Sequence, residues 1–171
     1  QLYADVKLYR QARGYFGESK RKNVNMIRYY YDDKEDMFDA HSYNKGGLVL
    51  HMLRNYLGDD GFFAGLNKYL ADNAHSAVEA DELRMAFEDT VGEDLHWFFD
   101  QWFLGNGHPH LDVTYTYNDE NKVLLVEVDQ TNTPKGFYEN FKLPVDIALY
   151  YEDGTVQYHP VVINKKKQRI L

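Results

Sequence analysis

The apolar residues of this chain repeat with one spacing as far as Leu104 and with another from Leu111 onward, and Gly105-Asn106-Gly107-His108-Pro109 stands between the two. Side chains return to one face of a helix about every 3.6 residues and to one face of a strand about every 2. The two periods belong to different elements, so the chain must fold as helices first and strands second. The expected class is therefore α+β. An all-helical part spans residues 1–107, and a small antiparallel β-sandwich-like domain, truncated at its end, spans 108–171.

Within the first part, residues 2–13 predict a helix with Val6, Leu8, Tyr9 and Ala12 on its apolar side, punctuated by Gly14 and Gly17. Ser19 caps a second helix to about Tyr31, with Val24, Ile27, Tyr30 and Tyr31 as its apolar set. Asp32 to Asp39 is acidic and aperiodic, a loop in which Met37 and Phe38 either face a pocket or plug the core. Further helices are expected over 61–70, over 80–90 up to Gly92, and from Glu93-Asp94 to about Leu104, where the acidic pair suits the positive end of a helix dipole. In the second part Leu111, Val113, Tyr115 and Tyr117 alternate with polar residues, Asn118-Asp119-Glu120-Asn121 turns the chain, and 122–129 returns. Strands over 142–151 and 155–163 flank the tight turn Glu152-Asp153-Gly154. Four strands leave an edge near 155–171 unpaired, and such an edge invites self-association.

The stretch from His41 to Gly58 carries the densest signal. Ser42 is a favoured N-cap and Gly58 suits a left-handed stop, which predicts a helix between them. Val49, Met52, Leu53 and Tyr56 form one apolar stripe, and Gly46, Leu50, Leu53 and Leu57 a second, so this helix belongs in the core. Gly46 and Gly47 each cost up to about 1 kcal/mol against Ala in a helix. They are explained if another backbone approaches the first turn closely. Tyr43, at the head of such a helix, is rigidly aimed.

With 15 tyrosines and 10 phenylalanines the core is unusually aromatic. The formal net charge of −8 argues against nucleic acid as a partner, since phosphate binding wants basic patches. Lys20-Arg21-Lys22 and Lys165-Lys166-Lys167 read as solvated surface. There is no cysteine, hence no disulfide or thiolate metal site, which suits any compartment, cytoplasmic or extracytoplasmic. No apolar run approaches the roughly 20 residues that cross a bilayer. The histidines form no H-E-x-x-H and no i, i+4 pair. His108 and His110 sit in the linker, and His96, three residues after Glu93, reads as a surface residue. His41 reads as a loop histidine bonded to backbone, and His51 as a core histidine with a satisfied nitrogen. Asp36 and Asp39 read as a solvated acidic loop with no acid–base work.

Tyr43-x-Lys45-Gly46, an aliphatic run and Met52-Leu53-Arg54 together resemble the segment of aminopeptidase N family zinc metallopeptidases, the gluzincins, that carries their transition-state tyrosine. Leu57-Gly58-Asp59, Phe62-Phe63, Gly65-Leu66, Tyr69-Leu70, Gln101-Trp102-Phe103 and Gly107-His108-Pro109 follow in order, and the likeness is clearest from about Asp36 to Leu111. The resemblance implies the C-terminal part of a thermolysin-like catalytic domain with a β-sandwich behind it. The intact parent would release N-terminal residues from a peptide substrate, with Tyr43 stabilising the tetrahedral intermediate. Zinc would be held in the intact parent, its ligands and the general-base glutamate lying upstream of Gln1. None would be bound by this chain, and the chain alone would be inactive. Two other readings stay open. One is a non-catalytic peptidase-like binding or scaffold module. The other is a helical domain joined to a β-sandwich carbohydrate or adhesion module with an exposed aromatic platform.

Overall fold

The computed structural model describes residues 2–131 and 139–170, which fall into two units, Gln1–Gly107 and His108–Leu171. In the first, α1 (Leu2–Ser19), α2 (Gly46–Asp72), α3 (Ala80–Val91) and the short α4 (His96–Phe99) are joined by irregular chain. π-Helical turns occupy His41–Lys45 and Asp100–Leu104.

Helix α1 does not stop at Gly14 as expected but runs through both glycines to Ser19. Gly14 is small because the π-turn presses on it: a Cβ there would lie 2.6 Å from Asn44 Nδ2. The helix expected over 19–31 does not form. Tyr29, Tyr30 and Tyr31 are all exposed, so they share no buried face, and the Ile27 amide is bonded to the Phe103 carbonyl at 3.0 Å. The chain there is fixed by tertiary bonds in place of helical ones.

Helix α2 is two helical segments meeting at Gly58, whose φ of 74° and ψ of 166° fall in a region that glycine enters without strain and other residues essentially do not. Arg54 and Asp59 bridge the kink through two bonds of 2.7 and 2.8 Å. Gly46, Val49 and Leu53 are buried, whereas Leu50, Met52, Tyr56 and Leu57 are half-buried, so each expected stripe has two members in the core and two at its margin. The neighbours crowding Gly46 and Gly47 are the side chains of Met26 and Gln11, where a backbone was expected.

Helix α3 begins with a reciprocal box, Glu79 with Glu82, and ends at Gly92 in the left-handed conformation. Its Phe87 stacks on Phe62 of α2 with ring centroids 5.4 Å apart, and Gly65 leaves the space that the Phe87 ring fills. Leu95, Phe98, Phe99, Trp102 and Phe103 complete this core.

The second unit holds two antiparallel sheets. One has the order β1 (Leu111–Asn118), β2 (Val123–Gln130), β5 (Lys167–Ile170), and the other pairs β3 (Leu143–Tyr150) with β4 (Val156–Ile163). The α+β class thus holds. Four strands were counted from the sequence, and the strand-like end of the chain is a fifth, β5, which begins in a basic run that reads as surface. Lys167 reaches Asp129 at 3.0 Å and Arg169 reaches Glu127 at 2.7 Å, so the charges are matched across the pair. Gln130 is buried and uses its amide as a strand would use backbone, accepting from Phe141 N–H at 2.8 Å and donating to Phe141 O at 2.9 Å.

Candidate active site

The turn His41–Lys45 is a single π-helical loop of backbone, closed by Lys45 N–H to Ala40 O at 2.8 Å, and it feeds directly into α2. π-Turns of this kind recur at functional positions because the extra residue re-aims the side chains around it.

Most residues of this turn are tied from behind. Ala40 N–H donates to Glu18 Oε2 on α1 at 2.7 Å. Ser42 N–H donates to Asp39 Oδ1 at 2.8 Å, so Asp39 caps the turn, the role expected of Ser42. The Ser42 hydroxyl instead accepts from Arg28 Nη2 at 2.8 Å. Asn44 Nδ2 donates to Gln11 O on α1 at 3.3 Å. Lys45 is buried, its Nζ 3.4 Å from Gly105 O and 5.8 Å from the centre of the Tyr15 ring. Tyr43 differs from all of these. It is 61% exposed, and its ring lies 6.0 Å from that of Phe38, itself exposed rather than plugging the core.

Asp39 is not the solvated acid expected of an aperiodic loop. Only 6% of its side chain is exposed, and Arg28 and Lys22 both reach its Oδ2 at 2.7 Å. Burial alone would raise its carboxyl, but the bonds from Arg28, Lys22 and the Ser42 amide outweigh it and hold the group well below the usual carboxylate range. Burial pushes Lys45 down to about 8 and Tyr15 up to about 12. His41, expected to bond backbone in a loop, is fully buried, and neither ring nitrogen has a hydrogen-bond partner. Burial lowers its basicity, with Asp39 and Glu18 opposing. His51 is half-buried at the edge of α2 and meets Asn55 at 3.3 Å, so it is not a core residue. Glu93 bonds Tyr56, and His96 is exposed beside Asp94 at 2.9 Å.

Glu18, Asp39 and His41 have donor atoms within 4.8 Å of one another, as do Glu88, Asp94 and His96. Neither trio fits a divalent ion. Lys22 and Arg28 already neutralise Asp39, and Glu18 carries the Ala40 amide on its other oxygen. Arg84 lies 2.5 Å from Glu88 and 3.4 Å from His96. A cation placed in either group would face fixed positive charge at close range.

The profile of the peptidase family M1 domain matches residues 6–102, more than half of the chain. The chain belongs to peptidase family M1. Aminopeptidase N of Haemophilus influenzae is 30% identical over 118 residues, 67% of this chain and 14% of that protein. The alanine/arginine aminopeptidase of Saccharomyces cerevisiae is 28% identical over 79% of this chain and 15% of its own length. Among solved structures, aminopeptidase A of Legionella pneumophila in complex with aspartic acid superimposes with a TM-score of 0.72. The identity is 20%, over 91% of this chain and 18% of that one. The chain therefore spans about a seventh of the length of these M1 relatives. Glu18, Lys22 and Arg28, which hold the turn, stand too far from it in sequence for any spacing rule to find them. Lys45 was visible only as the lysine of Tyr-x-Lys-Gly.

Proposed function

We propose that this chain is the tyrosine-bearing portion of a longer zinc-dependent aminopeptidase of family M1, and that Tyr43 is its catalytic residue. One observation carries the reading: Tyr43 is the exposed side chain of a turn whose neighbours are bonded to α1, to Arg28 and to the Gly105 carbonyl. A hydroxyl mounted on so fixed a base loses little freedom when a substrate meets it. In peptide hydrolysis the carbonyl oxygen gains charge as the tetrahedral intermediate forms. A donor already in place stabilises that charge more than it stabilises the substrate. The Tyr43 hydroxyl acts as a hydrogen-bond donor to that oxygen. Zinc and the base that activates water belong to other parts of the longer enzyme, where the metal supplies Lewis acidity.

The test is Tyr43→Phe in the full-length enzyme, assayed on an aminoacyl chromogenic substrate. Removing one such donor typically costs about 100- to 1,000-fold in kcat. KM should move less, because the main partner of the hydroxyl exists only in the transition state. Tyr56→Phe, on the helix that the turn feeds and with its hydroxyl on Glu93, serves as the control and should turn over like wild type. Wild-type kcat in Tyr43→Phe would make Tyr43 a packing residue.

A further inference from the structure

We propose that Arg28 is a positioning residue that aims Tyr43, acting through the cap of the π-turn; this rests on the catalytic reading of Tyr43. The guanidinium makes four bonds to three residues on the chain leading into the turn. Nη1 donates to Asp36 O at 3.1 Å and to Asp39 Oδ2 at 2.7 Å, while Nη2 donates to Asp39 Oδ1 at 3.2 Å and to Ser42 Oγ at 2.8 Å. Only 11% of the side chain is exposed. Asp39 Oδ1 in turn accepts the Ser42 amide, and Asp39 O accepts the Tyr43 amide at 3.1 Å. One planar fork therefore sets Asp39, Asp39 sets the backbone of Ser42 and Tyr43, and that backbone sets where the phenol goes.

Charge compensation does not require Arg28. Lys22 also pairs with Asp39 at 2.7 Å and reaches the Asp36 carbonyl at 2.9 Å. What Arg28 adds is geometry. Five donors in a rigid plane grip a carboxylate and a neighbouring hydroxyl at once, and a lysine's point charge cannot. Its Nε is buried without a hydrogen-bond partner, so the fork serves its acceptors at the expense of one of its own donors. Arg28→Lys should thus keep the charge and loosen the aim.

The experiment compares wild type, Arg28→Lys, Tyr43→Phe and the double variant in the full-length enzyme, reading kcat, KM and melting temperature. Misplacing a reacting group by a fraction of an ångström to an ångström is expected to lower kcat about tenfold or more in Arg28→Lys, with KM changed less than about threefold. The deciding readout is the double variant. If Arg28 acts through the Tyr43 hydroxyl, Arg28→Lys costs nothing further once that hydroxyl is gone. Ser42→Ala, which deletes one acceptor and little else, should show a smaller loss of kcat that also vanishes in the Tyr43→Phe background. It keeps the question open to test if Arg28→Lys folds poorly. Wild-type kcat in both Arg28→Lys and Ser42→Ala, or equal losses with and without the Tyr43 hydroxyl, overturns the proposal while leaving Tyr43 catalytic. Wild-type kcat in Tyr43→Phe overturns the catalytic reading and this inference together.

Discussion

Lys45 and Tyr43 share a turn and face opposite environments, and each is legible from its surroundings. An ammonium buried against an aromatic ring and a single carbonyl is poorly solvated, so folding lowers its affinity for a proton to about 8 from 10.5. The unfolded chain therefore binds that proton more tightly, and wild type gains stability as pH rises through the window from 8 to 10.5. At neutral pH the burial costs roughly 3 kcal/mol. Lys45→Met keeps the length and drops the charge. Its stability relative to wild type should be greatest at pH 7 and should shrink steadily toward pH 10.5, read by urea denaturation at each pH. Parallel stability profiles would show that Lys45 is better solvated than its surroundings indicate. His41 runs the other way along the pH axis. Its lowered basicity means that the unfolded chain takes up the proton first as pH falls below its ordinary value of 6.5, so its contribution to stability is lost on the acid side.

At the scale of elements, glycines mark both what sequence can reveal and what it cannot. Gly65 lies where a Cβ would sit 2.3 Å from the Phe87 ring, inside the contact that joins α2 to α3, while Gly17 in α1 has nothing within 4 Å of its missing Cβ. Gly65→Ala should cost about 1–3 kcal/mol through overpacking. Gly17→Ala should gain about 0.5–1 kcal/mol, since it removes only the entropic cost of glycine in a helix. Denaturant titration of the two variants checks both signs at once. The two glycines look alike in sequence, and Gly17 misleads, suggesting a helix end where α1 continues. Gly58 and Gly92 were readable because each sits at the end of an apolar period and takes a positive φ, Gly92 as a left-handed stop and Gly58 at a kink. Ser42 named the right turn and the wrong cap: a carboxylate three residues earlier, held by Arg28 and Lys22, accepts the Ser42 amide, and the Ser42 hydroxyl goes to Arg28. The pairing of strand β5 escaped for a related reason, since its lysine and arginine find their partners only opposite Asp129 and Glu127. Local pattern thus recovered elements whose apolar faces are continuous, and lost those fixed by charge pairs distant in sequence.

For the whole molecule, net charge and local charge lead to opposite expectations about metal. Acidic side chains outnumber Lys and Arg by 27 to 19, which favours loose, screened association of any cation. Tight zinc binding needs more than that: several donors aimed at one point, deprotonated and available. The described residues offer two groups at suitable spacing, and each is occupied by basic side chains. Asp39 is bound to Arg28 and Lys22, and Glu88 to Arg84. Zinc entering the first group would have to displace two cations from Asp39, the residue that caps the turn holding Tyr43. The second group is open to water at Asp94 and His96, so an ion there would exchange freely. The expected result for the chain on its own, dialysed into metal-free buffer and measured by elemental analysis, is zinc far below one per molecule. Adding one equivalent of zinc should leave its melting temperature unchanged, because an ion that binds no folded site shifts no equilibrium. Stoichiometric zinc that survives dialysis, with a raised melting temperature abolished by His41→Phe, would assign the metal to the Glu18–Asp39–His41 group. The arginine fork would then have to be read as its competitor.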